Sequence, residues 1–188
     1  MIIAATIGHA GRPSRWADRG AAFEGQEEVS AVRRYLDAAD RELRALGHTV
    51  VLLSDGEYSS QWTRADQYQA SVYLNCHVNA GGGDRAELFH DHRSERGRAL
   101  AETVAAELGR LVPWPCNARA CRPDTNGIPR DGDYSEAFGC IAGVKAVALC
   151  VEPYFIDGPR RVWFLGQLDT VGRALARGVD AWSRGGLP

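Results

Sequence analysis

Met1-Ile2-Ile3-Ala4-Ala5-Thr6-Ile7-Gly8-His9-Ala10 begins the chain, and its form returns in Val72-Tyr73-Leu74-Asn75-Cys76-His77-Val78-Asn79-Ala80. Each is an apolar run that stops at a histidine. Short apolar runs bounded by turn signals read as strands buried on both faces. A histidine at the tip of such a strand, beside a glycine or another small residue, leaves room for a metal or a substrate. Two such tips in one sheet lie side by side, and open α/β sheets place their ligands at that edge. Histidine is the commonest metal ligand.

Outward from these two runs the periodicity alternates. Residues 27–46 read as a helix, with Val29, Val32, Leu36, Ala39, Leu43 and Leu46 at three- and four-residue spacing and Gly47 as its stop. Residues 49–53 read as a second strand, buried on both faces by its continuous apolar character. A short helix is predicted over 64–70 and the third strand over 71–76. Gly81-Gly82-Gly83-Asp84 turns the chain into a short strand at 86–89. Residues 96–111 read as a helix with Leu100, Val104, Leu108 and Leu111 on one stripe. Residues 113–143 read as loop, 144–151 as a strongly apolar strand and 163–182 as a terminal helix. Strands alternating with helices predict an α/β fold: three α/β/α layers around a mixed, mostly parallel sheet of about six strands. A single domain over 1–184 is expected, with a frayed tail at 185–188 and no appended binding module.

Composition narrows the function classes. The chain has 188 residues, ordinary apolar content and a net charge of −2, enough for a full core. No basic stripe is visible, which argues against a nucleic-acid partner. Basic residues are almost all arginine, Lys145 being the only lysine; this reads as coding bias. No stretch is long and apolar enough to enter a membrane. The first seven residues lack a basic leader and run straight into Gly8-His9, so they read as a strand and not as a signal peptide. Synthesis in the cytoplasm is expected, with any export by another route. Of the five cysteines, Cys76 and Cys150 sit in strand-like runs as small core residues. Cys116 and Cys121 lie in the loop-rich stretch and are close enough in sequence to bridge, although a reducing compartment disfavours it. No CxxC pair and no phosphate-binding glycine motif is present; Gly81-Gly82-Gly83 lacks the lysine and precedes a strand.

Four positions stand out together. His9 and His77 end strands, Glu28 opens the first long helix, and Glu152 ends the strand Val147-Ala148-Leu149-Cys150-Val151. Singly, each has a plain structural role open to it; Glu28 is a first-turn acid of the kind the helix dipole favours. As a set they give two imidazoles, one carboxylate ligand and one further carboxylate. Catalytic zinc takes three protein ligands, His/His/Glu among the established sets, and keeps a place for water. A second carboxylate then moves the water's proton to the leaving group. Glu27 and Glu24 are rivals to Glu28 as the third ligand.

With these residues in view, the chain resembles the catalytic domain of zinc-dependent N-acetylmuramoyl-L-alanine amidases of the type 3 class. The resemblance runs from about residue 2 to 182. That family opens with a strand and Gly-His, matched by Gly8-His9. A glutamate at the start of a long helix follows, matched by Glu28, with Gly47 closing the helix. A Ser-Ile-His-Ala-Asn-Ala-like strand end is matched by Asn75-Cys76-His77-Val78-Asn79-Ala80. A Gly-Val-Glu-like strand is matched loosely by Arg85-Ala86-Glu87-Leu88-Phe89, and a Glu-x-x-Phe-like end by Glu152-Pro153-Tyr154-Phe155.

The resemblance implies one zinc ion held by His9, Glu28 and His77. It implies Glu152 as general base and acid, Asn79 as a shaper of the pocket and Glu87 as a support behind it. It also implies peptidoglycan as the substrate, cut at the amide between muramic acid and L-alanine by a monomer acting on the cell wall. A phage lysin released through a holin fits the missing signal peptide, as does an enzyme of a spore-forming mother cell. The family's Arg-Gly turn has its nearest match in Asn117-Ala118-Arg119, and the first motif is Gly-His-Ala-Gly where Gly-His-Gly-Gly is usual. Residues 122–140 depart from the family and are candidates for the stem-peptide groove.

Two rival readings keep the scaffold. One is a zinc amidohydrolase or carboxypeptidase-like enzyme on a small acyl amino acid; the other is a non-catalytic binding domain. Among the remaining histidines, His90 and His92 form a His-x-His pair expected in the loop before the 96–111 helix, and His48 is expected to be structural. Trp16, Trp62, Trp114 and Tyr134 are placed in loops, where packing is the leading role.

Overall fold

Among the described residues, every β-strand longer than two residues joins one six-stranded sheet. The structure, a computed structural model, describes residues 1–13, 18–122, 139 and 141–185, with the backbone alone at Tyr58. The elements in order are β1 (Ile2–Ile7), β2 (Ala22–Phe23), β3 (Gln26–Glu27), α1 (Glu28–Ala45), β4 (Thr49–Leu52), α2 (Tyr58–Gln67), β5 (Val72–Cys76), β6 (Ala86–Asp91), α3 (Glu95–Gly109), β7 (Cys116–Cys121), β8 (Val147–Glu152), α4 (Arg161–Gly166) and α5 (Leu168–Arg184). The sheet order is β4-β1-β5-β8-β6-β7. All neighbours are parallel except β6 and β8, which run antiparallel with Glu87 opposite Glu152. The mixed, mostly parallel α/β architecture expected from the sequence is the one observed.

The two faces are covered unequally. Ile3, Ala5, Leu74, Leu88 and Leu149 face a core shared with α1, α3 and α5. Ala4, Tyr73, Phe89, Ala148 and Cys150 face a smaller one shared with Ala65 of α2. Helix α1 buries the predicted stripe of Val29, Val32, Leu36, Ala39 and Leu43. Gly47, at φ 90°, donates to the Arg44 carbonyl at 3.0 Å while His48 donates to Leu43 at 3.0 Å, the paired bonds of a glycine-terminated helix. Helix α3 starts where Ser94 Oγ accepts the Gly97 N–H at 2.9 Å.

Several expectations need correction. β4 is the sheet edge and not a doubly buried strand; Thr49 and Leu52 are exposed. Helix α2 occupies 58–67 in place of 64–70, so Trp62 is helical and not in a loop. Residues 116–121, read as loop, form β7 through pairing with β6. This places Cys116 and Cys121 at opposite ends of a six-residue strand, about 16 Å apart, far beyond disulfide reach of each other. β6 continues to Asp91, so His90 lies in a strand and is buried, with Nδ1 against the Asp91 carbonyl oxygen at 3.0 Å. The single terminal helix is two, parted at Gln167. Trp16, Tyr134, Cys140 and most of 122–140 lie outside the described residues.

α5 nests between α1 and α3 because two of its residues lack side chains. A Cβ on Gly172 would stand 2.0 Å from the Tyr35 carbonyl oxygen, and one on Gly178 would stand 2.7 Å from Val104 Cα. Both obstacles are backbone. Gly172→Ala gains about 1 kcal/mol of helix propensity, but overpacking against a rigid backbone costs about 1–3 kcal/mol or more. The variant is expected to melt roughly 3–8 °C lower, as thermal denaturation followed by circular dichroism will read.

Candidate metal centre

Pairing of β1 with β5 runs one residue past the end of β1: the Gly8 N–H donates to the carbonyl of Cys76, the last residue of β5, at 2.8 Å. A Cβ on Gly8 would lie 2.3 Å from His77 Cε1, so only glycine lets the imidazole lie across the tip of β1. His9 then adopts φ 64°, a left-handed conformation uncommon for residues with side chains and concentrated at functional sites. Its ring stands 5.1 Å from that of His77, nearly perpendicular at 86°.

Glu28 reaches the same point from α1. Segment 18–27 delivers it. Glu24 and Gly25, both at positive φ, close the β2–β3 hairpin as a two-residue turn of this kind requires. The Ala21 and Arg19 carbonyls accept the Glu28 and Val29 N–H groups at 2.8 and 3.2 Å, capping the helix. Glu28 is 3% exposed. Its Oε1 accepts His77 Nδ1–H at 2.8 Å and the Val78 N–H at 3.0 Å, and its Oε2 accepts the Ala21 N–H at 2.8 Å. His9 Nε2 stands 3.6 Å from Oε2. Burial pushes this carboxyl up, but the His77 hydrogen bond, the charges of His77 and His9 and the Ala21 N–H together outweigh it and hold it below its ordinary value.

One donor atom each from His9, Glu28 and His77 lie within 4.8 Å of one another. Ligands of a tetrahedral zinc, at about 2.0–2.2 Å from the ion, stand about 3.3–3.6 Å apart. Among the described residues no other group of three His, Cys, Asp or Glu side chains is so placed. The donor set fits a divalent metal of catalytic-zinc type. Glu27 and Glu24 are exposed, and Glu24 pairs with Arg161, so of the three glutamates only Glu28 meets the histidines.

The other expected residues gather one strand further on. Glu152 ends β8 directly after Val151, whose carbonyl accepts the His77 N–H at 2.9 Å, and one of its carboxylate oxygens is buried. Opposite it, Glu87 is 2% exposed, accepts from Asn79 Nδ2 at 2.9 Å and from Arg119, and forms an ion pair with Arg85 Nε at 3.1 Å. Asn79 and Arg119 therefore bind Glu87. Burial pushes the neighbouring Cys76 thiol up to about 12, and the Glu152 charge adds to that rise, which makes Cys76 an inert core residue.

Two residues of the site escaped the sequence reading. Tyr35, fully buried, donates its hydroxyl to the His77 carbonyl at 2.9 Å. It lies seven residues after Glu28, on the same face of α1, and that spacing was the available signal. Asp18 Oδ2 accepts from His9 Nδ1 at 2.9 Å; nothing in its surrounding sequence marks it. Elsewhere, His48 Nε2 pairs with Asp180 at 3.1 Å, a structural role as expected. Trp114 is buried, stacked 4.2 Å from the Tyr154 ring.

No family model and no curated protein sequence matches this chain; the likenesses are to solved structures. AmiC2, an N-acetylmuramoyl-L-alanine amidase of Nostoc punctiforme, superposes with a TM-score of 0.80 at 17% identity, covering 98% of this chain and 97% of that one. Cwp6 of Clostridium difficile gives 0.80 at 18% identity, with 96% of this chain matched to 29% of that longer one. The catalytic domain of the CD27L endolysin, which targets Clostridia difficile, gives 0.75 at 19% identity, covering 95% and 96%. The chain has the fold of these proteins over nearly its whole length.

The close approach of Gly8 to His77 makes a local test. Gly8→Ala must displace an imidazole that Glu28 holds at Nδ1, on a residue whose carbonyl Tyr35 fixes. Zinc affinity is expected to fall about tenfold or more with the far-ultraviolet circular dichroism unchanged, as measured by titration against a chromophoric chelator.

Proposed function

We propose that this chain is a zinc amidase that hydrolyses the amide between the lactyl group of N-acetylmuramic acid and the L-alanine of the peptidoglycan stem. The reading rests on one observation. A His9–Glu28–His77 donor cluster, buried but for His9, forms at the C-terminal tips of parallel strands, with Glu152 beside it, in a fold shared with proteins of that activity. Such amidases act on the cell wall, and with a net charge of −2 this chain would have little electrostatic attraction to an anionic wall.

His9, Glu28 and His77 would hold the metal, two neutral imidazoles and one carboxylate supplying a single negative charge. When bound, the metal polarises the scissile carbonyl and lowers the pKa of water toward neutrality. Glu152 takes the proton from the attacking water and delivers it to the alanine nitrogen as the C–N bond breaks. The products are the lactyl carboxylate and the free amino group of L-alanine. Glu87 holds its end of β6 against Glu152 through Asn79, Arg85 and Arg119, so the base sits on a fixed strand. Segments 18–27 and 78–84 adjoin the cluster through Ala21 and Val78 and are placed to contact the two sides of the substrate.

Glu152→Gln is expected to keep its fold and its zinc but lose about 10²–10⁴-fold in turnover. The assay is release of new alanine amino termini from purified walls, without new reducing ends. Full activity in the variant would sink the assigned role of Glu152. Intact walls together with cleavage of small N-acyl amino acids would move the substrate to that class.

Metal content gives a separate measurement. Elemental analysis of the purified chain is expected to find one zinc per molecule, and His77→Ala is expected to lose it. Equal metal in both proteins would overturn the ligand set.

A further inference from the structure

Asp18 has no task in the chemistry just described, yet its contacts are directed. Oδ2 faces His9 Nδ1 at 2.9 Å, Oδ1 accepts the Gly20 N–H at 2.9 Å, and the buried Arg12 brings Nη2 to 3.6 Å of Oδ2. Segment 18–21 thus touches two members of the donor cluster: Asp18 meets His9, and the Ala21 N–H meets Glu28.

The two histidines differ in how they are held. The His77 side chain is 9% exposed, lies across Gly8, and has its main chain tied to Val151 and Tyr35. The His9 side chain is 27% exposed on a residue at positive φ, so packing leaves its ring orientation open. A neutral imidazole carries one N–H, and the group that accepts it decides which nitrogen is left as a donor.

We propose that Asp18 is a positioning residue for the metal: it accepts the Nδ1 proton of His9, fixing the ring angle and the tautomer that leaves Nε2 facing Glu28 and the ion. This rests on the reading of His9, Glu28 and His77 as a metal site. Arg12, on the far side, offsets the Asp18 charge, so the ion meets one ligand carboxylate with the second acid neutralised behind the histidine.

The test compares wild type, Asp18→Asn and Asp18→Ala. Zinc affinity is measured by chelator competition, the visible absorption of the cobalt-substituted protein is recorded, and the ¹⁵N shifts of His9 are read in the metal-free chain. Circular dichroism reports the fold of each apoprotein. Asp18→Ala is expected to bind zinc about 10–100-fold more weakly and to alter the cobalt bands. Asp18→Asn, whose amide oxygen still accepts the proton but carries no charge, is expected to lie between. In wild type His9 is expected to be protonated at Nδ1.

Wild-type zinc affinity and an unchanged cobalt spectrum in Asp18→Ala would overturn the proposal while leaving the metal site standing. If Asp18→Ala fails to fold, Asp18→Asn decides: weaker zinc with native circular dichroism supports the role, and unchanged affinity overturns it. Wild type that binds no zinc would overturn the metal reading itself, and this proposal with it.

Discussion

The carboxylate of Glu28 is buried where two strand tips, a helix start and a hairpin meet, and the site's geometry follows from keeping that charge satisfied. An ionised carboxylate withdrawn from water costs several kcal/mol unless donors replace the lost hydration. Here they come from two places, His77 and Val78 beyond β5 and Ala21 before β2, while His9 beyond β1 brings Nε2 to 3.6 Å. The start of α1 adds the favourable end of the helix dipole. Because these groups belong to different elements, no element can shift without leaving the charge partly unmet. Glu28, His77 and His9 are also the side chains that would hold a cation, so the fold and the site draw on one set of residues.

Sheet order extends this constraint sideways. β1, β5 and β8 are parallel neighbours, so the residues at or just past their ends fall in one row: Gly8 and His9, then His77, then Glu152. β6 runs the other way, which brings its first residues, not its last, to the same edge and sets Glu87 opposite Glu152. The layer of helices is coupled to the row from behind. Tyr35 reaches through from α1 to the His77 carbonyl, and its own carbonyl is the atom Gly172 packs against. Packing of α5 against α1 thereby bears on a ligand strand that α5 does not touch through its own hydrogen bonds.

Periodicity made most of this legible. A helix that repeats at 3.6 residues and strands that bury both faces announce themselves, and so the α/β class and the convergence of His9, Glu28 and His77 could be read from residue order. The misses share a physical cause. β7 is Cys-Asn-Ala-Arg-Ala-Cys, with no β-branched residue and no long apolar side chain; it is a strand because β6 offers it hydrogen bonds. β4 has the composition of a central strand, but the number of neighbours a strand acquires is a property of the sheet and not of the segment. The first half of α2, Ser59-Ser60-Gln61-Trp62-Thr63, has no apolar repeat, and the break at Gln167 leaves the hydrophobic pattern on either side intact. Asp18 was invisible because its partner is set by the path of the loop after His9, which carries no period at all.

Two buried acids flank this edge, and their partners explain why only one of them belongs to a donor cluster. Glu87 is held by two guanidiniums and an amide. Arginine does not deprotonate at accessible pH, and its donors are fixed in a plane that saturates a carboxylate. A cation approaching Glu87 would have to displace permanent positive charges. Glu28 is held instead by imidazoles and main-chain N–H groups. An imidazole can present a lone pair to a metal, so of these partners the imidazoles are the ones that would join Glu28 around an ion. Geometry brings both acids to the sheet edge; the chemistry of their partners makes Glu28 exchangeable and Glu87 permanent.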